Sequence, residues 1–170
     1  LTTCIIIKSC QGMLPRDQGR AFAINGKISQ GKPRGAGILF ILVFSLFSLI
    51  FVPYSNEFLI YIILVIASMV SGYLDDSSKS PWGEYKKGLI DLIIALAAAF
   101  TYVNYNGTTI NFGYTDAGIT LPVWLFIILA VILIWVSINV TNCTDGVDGL
   151  SGTLSLITLA TMYGICSIKE

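Results

Sequence analysis

Two groups of carboxylates carry the chemistry open to this sequence. Asp75-Asp76 ends one long apolar run, and Asp145-Gly146-Val147-Asp148 follows another. Together they hold four of the ten acidic residues in the chain. Carboxylates crowded at a membrane surface are costly unless a cation joins them, such as a metal ion, a lysine or a metal-bound phosphate. Two adjacent aspartates put both charges in reach of one ligand, the second rotated by about 100° in a helix. At a helix C-terminus they also oppose the macrodipole, so a ligand there would relieve an unfavourable placement. The plainer reading of the pair alone is a helix end with solvated aspartates. Lys79 stands four residues after Asp75, within reach of it if the helix continues.

The second group is more specific. Asn139, Asn142, Asp145 and Asp148 recur every three residues, which aligns them along one drifting face of an α- or 3₁₀-helical turn. Gly146 and Gly149 keep the backbone open to a ligand there. An inter-helix turn rich in Asn, Asp and Gly is ordinary. That does not explain why the polar face begins inside the apolar run, where a buried Asn needs a partner. Lys86, Lys87 and Asp91 open the next apolar run. Lys87 and Asp91 are four apart, which suits a surface ion pair or a snorkelling lysine. It equally suits a lysine that holds a diphosphate near Asp75 and Asp76. Lys32 and Arg34 share this ambiguity. Carboxylates and phosphate oxygens are hard ligands, favouring Mg²⁺ or Mn²⁺ over zinc.

The elements that position these groups are membrane helices. The chain is 55% hydrophobic and 12% charged, against about 25% charged in a soluble domain. A span needs about 20 apolar residues, and such runs fall near 36–54, 57–74, 88–104, 121–140 and 150–168. The fold class is therefore all-α and integral to the membrane, a polytopic bundle of about five full spans in one domain over 1–170. The apolar segment 1–7 is too short to span and reads as the tail of a first helix cut off upstream. Six basic residues precede the first full span and three lie between the second and third, while the connections at 53–56 and 104–120 have none. The positive-inside rule puts the basic side, and with it both acidic groups, in the cytoplasm. Residues 104–120, with Asn106-Gly107 as a turn, suit a short external β-hairpin. The four cysteines have no metal-type spacing, and the absence of histidine excludes His-based chemistry within these residues.

At these residues the chain resembles the polyprenyl-phosphate N-acetylhexosamine-1-phosphate transferases, and within them the phospho-N-acetylmuramoyl-pentapeptide transferases of the MraY type. The segments that carry the likeness are GYLDDSSK at 72–79, EYKKGLIDL at 84–92 and NVTNCTDGVDGLSG at 139–152, with LPRDQGRAFAINGKISQGKPRGAG at 14–37 as a weaker match. The resemblance implies a ten-helix enzyme of which this chain is the N-terminal half. It implies transfer of phospho-N-acetylmuramoyl-pentapeptide from a UDP carrier to undecaprenyl phosphate, giving lipid I and UMP for peptidoglycan synthesis. The setting would be the bacterial plasma membrane, with the site on its cytoplasmic face and no role for nucleic acid. Asp75, Asp76 and Asp148 would be catalytic. Lys79, Lys87, Asn139, Asn142 and Asp145 would bind substrate. Asp75 and Asp76 would meet Mg²⁺ (or Mn²⁺), with a further ligand beyond residue 170, so that this half alone would be inactive. Which aspartate is base and which is ligand stays open, as does Lys86 against Lys87 and the option of a homodimer.

Two other readings compete. A GlcNAc-1-phosphate transferase for teichoic acid or surface polysaccharide would share these motifs. An ion-coupled transporter would use the aspartates as a cation site, but it predicts broken helices and acids near the bilayer midplane.

Overall fold

The computed structural model describes residues 2–16, 31, 33–78, 82–111, 118–144 and 149–168. Lys79, Asp145 and Asp148 lie outside them, as does most of the cytoplasmic loop expected before the first full span. The helices are α1 (Thr2–Cys10), α2 (Gly37–Phe51), α3 (Asn56–Ser77), α4 (Glu84–Asn106), α5 (Val123–Thr144) and α6 (Leu150–Ile168), with a 3₁₀ turn at Gln11–Met13 after α1. Among the described residues α3 to α6 are each long and apolar enough to cross a membrane. The fold class is the expected one.

The first expected span is shorter than the run 36–54 suggested. Helix α2 has 15 residues, about 22 Å at 1.5 Å per residue, against a hydrocarbon core of about 30 Å. It stops because Val52 is extended (φ −91°, ψ 134°) and the next residue is Pro53. A residue before proline is pushed out of the helical region. Helix α3 then starts cleanly, with the Ser55 side chain accepting a hydrogen bond from the Phe58 N–H at 3.1 Å. That cap satisfies a backbone donor the helix cannot.

The expected hairpin forms, but not with its expected turn. Strands β1 (Thr109–Asn111) and β2 (Gly118–Thr120) pair antiparallel, Thr109 opposite Thr120. Asn106-Gly107 does not turn the hairpin. Asn106 is the last residue of α4, and Gly107, at φ 74°, caps it by donating its N–H to the Val103 carbonyl. That left-handed φ is open to glycine at little cost.

Helix α4 lies between α3 and α5 and contacts both. Ala95 and Ala99 are fully buried and meet Val131 of α5, with Leu92, Leu96, Ile127, Ala130 and Ile134 around them. Small residues let helix backbones approach closely where van der Waals packing, rather than water exclusion, drives association. Most other large apolar side chains point outward, as a lipid-facing surface requires. None of the described α6 side chains is buried. The α4–α5 seam thus packs together the two helices that carry Lys87 and Asn142.

Candidate active site at one end of the helix bundle

Because α3, α4 and α5 alternate in direction, the end of α3, the start of α4 and the end of α5 share one end of the bundle. Asp75 and Asp76 lie in the last turn of α3, which closes at Ser77. Ser78 is extended (φ −72°, ψ 143°) and donates its Oγ–H to the Asp75 carbonyl at 2.8 Å. Helix α3 thus ends before Lys79, which lies outside the described residues.

Among the described residues, Lys87 is the lysine that meets Asp75. The Lys87 Nζ donates to Asp75 Oδ2 at 3.3 Å and to Asn142 Oδ1 at 3.0 Å. One ammonium thus joins three helices and both sequence motifs. The other Asp75 oxygen, Oδ1, accepts the Trp82 backbone N–H at 2.9 Å, so the α3–α4 connection folds back over the carboxylate. Lys87 and Asp75 expose only 23% and 19% of their side chains, which shields the pair from the screening that weakens surface ion pairs. The neighbouring Lys86 turns away, its Nζ 3.7 Å from the centre of the Trp82 ring in a cation–π contact. Among these two lysines, Lys87 is the one that faces the acids.

Asp76 has its own cation. The Arg34 guanidinium lies 3.1 Å from Asp76 Oδ1, with both side chains about a third exposed or more. Arg34 is placed by the chain before α2. Its N–H donates to the Pro15 carbonyl at 2.7 Å, and Arg16 bridges to Pro33. Gly35 follows at φ 70°, with the Tyr73 ring 3.1 Å from where a Cβ would stand. A side chain there would be strained in backbone and crowded against α3. Sequence spacing could not pair Arg34 with Asp76, because 42 positions separate them and charge bias explained the arginine equally well.

Asn139 does not join the group. It lies on the same helix as Asn142, but its Nδ2–H donates to the Trp135 carbonyl at 2.8 Å, one turn back. Trp135 in turn donates its Nε1–H to the Gly88 carbonyl at 2.9 Å, pinning α5 to the start of α4 beside Lys87. Asp91 is buried at 4% exposure rather than paired at the surface with Lys87, and its Oδ2 has no hydrogen-bond partner.

Among the described residues no three His, Cys, Asp or Glu side chains cluster as a closed metal site. Asp75 and Asp76 offer two hard carboxylates at a helix end. Mg²⁺ is commonly bound by one or two carboxylates with water and substrate phosphates completing its shell. The donor set fits an open site of that kind, in which Lys87 and Arg34 would have to yield.

The family model for glycosyl transferase family 4 matches residues 58–170, a stretch that contains every candidate residue except Lys32 and Arg34. Two relatives, the phospho-N-acetylmuramoyl-pentapeptide-transferases of two strains of Treponema pallidum, are each 38% identical over 160 residues. The match takes in 92% of this chain and 44% of each relative, so the chain spans less than half their length. No solved structure matches it.

Proposed function

Given that the chain belongs to glycosyl transferase family 4, we propose that this end of the bundle is one side of a site that transfers phospho-N-acetylmuramoyl-pentapeptide from its UDP carrier to undecaprenyl phosphate, releasing UMP. The observation that carries the reading is the Lys87 bridge. It brings the Asp75-Asp76 motif and the Asn142 end of the second motif to one point, with Lys87 and Asn142 themselves 55 residues apart in sequence. The names of the two relatives supply the transferred group, phospho-N-acetylmuramoyl-pentapeptide, and the resemblance of the motifs supplies the donor and acceptor.

On this reading the site faces the cytoplasm of a bacterial membrane, where the nucleotide-sugar is available and the lipid phosphate lies at the surface. Asp75 and Asp76 are the residues that would hold Mg²⁺. The ion would supply charge neutralisation for the diphosphate that becomes the leaving group. Lys87 would neutralise a phosphate oxygen once the acids are engaged, keeping its bond to Asn142 as a positioning contact. A carboxylate oxygen of the pair that the metal does not engage would accept the proton of the lipid phosphate. Asp145, Asp148 and Lys79 complete the proposal as nucleotide-sugar and phosphate contacts, and Arg34 orients Asp76. The carrier alternative is less well supported, because Asp75 and Asp76 end a continuous helix rather than break one at mid-membrane.

The test is UMP release from UDP-linked substrate by the complete protein that carries this chain. Asp75→Asn is expected to abolish it while membrane insertion is unchanged. Wild-type turnover in that variant would remove the assignment.

A further inference from the structure

The buried carboxylate of Asp91 has no role in the site as described. It stands four residues after Lys87 on α4, about 6 Å further along the helix axis, in line with the buried Ala95 and Ala99 of the α4–α5 seam. It is 4% exposed, and its Oδ2 has no hydrogen-bond partner. A carboxylate inside a membrane span without a partner is expensive, and such groups mark function more often than packing. Among the described residues, Lys87 is a cation that can reach it. Residues four apart on a helix have Cβ atoms about 5–6 Å from each other, well within a lysine's length. In this structure the Lys87 ammonium donates instead to Asp75 and Asn142.

We propose that Asp91 is a positioning residue for Lys87, a second carboxylate that takes the ammonium when a divalent cation occupies Asp75 and no substrate phosphate is yet bound. The inference rests on the reading of Asp75 as a metal-binding acid. A cation on Asp75 repels an ammonium that stands 3.3 Å from the same carboxylate, and the displaced charge needs somewhere to go. Asp91 receives it one turn deeper without leaving α4. Its weakness as a partner suits the role. A lysine N-terminal to its acid at i,i+4 is the less favourable orientation on a helix, so Lys87 rests on Asp75 and moves only when driven off. Asp91 thereby lowers the competition between Lys87 and the metal.

The test is Mn²⁺ binding, read by electron paramagnetic resonance on the complete protein in lipid nanodiscs, without substrate. Asp91→Asn is expected to weaken Mn²⁺ binding about tenfold, the effect of losing one charged hydrogen bond. Lys87→Met, which removes the competitor, is expected to tighten it. In the Lys87→Met background, Asp91→Asn is expected to change binding by less than about twofold, since a residue acting only through Lys87 has no independent effect. Asp91→Glu, which keeps the charge, is expected to restore binding. Equal weakening by Asp91→Asn with and without Lys87 would mean a direct field effect and overturn the proposal. So would unchanged binding in Asp91→Asn, or no tightening in Lys87→Met should the Asn variant fail to fold. Turnover is measured alongside. Wild type that binds Mn²⁺ in this pattern but releases no UMP supports Asp91 and counts against the transfer reaction. Normal wild-type turnover with Mn²⁺ binding indifferent to Asp91 counts against Asp91 alone.

Discussion

The two ends of the α3–α4–α5 bundle are built from similar materials and do different things. At one end Asn106 donates to Glu57 Oε1 at 2.6 Å, the Tyr102 and Phe126 rings stack 5.6 Å apart, and a short antiparallel strand pair joins α4 to α5. These contacts tie helix ends to each other and use at most one charge at a time. At the other end the ties that join the motifs set a cation against an acid or an amide: Lys87 on Asp75 and Asn142, Arg34 on Asp76. A tie that holds no cation is satisfied as it stands. A cation held by a carboxylate at a membrane surface is in a place that a metal ion or a phosphate can contest. On the proposed reading the difference separates a structural end from a chemical one, and substitutions test it.

The largest effect is expected from Asp75→Asn in the complete protein. UMP release should fall by at least about a thousandfold, the upper range for losing a main electrostatic group of a transition state. Next comes Lys87→Met, expected to lower UMP release about a hundredfold by the same reasoning. Arg34→Met acts through a partly exposed pair, for which the stability cost is at most about 1 kcal/mol. Its thermal melting should barely move, and turnover should fall by only about tenfold, since about 1.4 kcal/mol of lost orientation is one decade of rate. Glu57→Gln, at the opposite end, should change UMP release by less than about twofold, as expected of a surface change remote from the chemistry. A Glu57→Gln effect as large as that of Lys87→Met would erase the contrast between the ends.

Much of this was legible in the residues. Apolar run lengths placed the long helices to within a few positions, since a span needs a length and composition that local sequence states outright. The acid pairs and Asn142 stood out because polar residues interrupt apolar runs. Other features were not readable, and for identifiable reasons. Asn139 shares the three-residue period of Asn142, but periodicity does not say that a side chain will bond its own helix one turn back. Lys87 had an acid four residues away in Asp91 and chose one twelve residues earlier, because α3 and α4 meet at their ends. Arg34 looked like part of a topological charge bias until the return of the chain past Pro15 set it against Asp76. Helix α2 fell short because Pro53 mattered more than hydropathy.

The central claim is that Lys87 unites the two motifs in one working unit, and a double-mutant cycle tests it most directly. UMP release is measured for the complete protein as wild type, Lys87→Met, Asn142→Ala and the double variant. Groups that act through one shared contact are non-additive. The account predicts that the double variant is no slower than Lys87→Met alone, within about twofold. Losses that multiply would show that Lys87 and Asn142 act separately, and would contradict it.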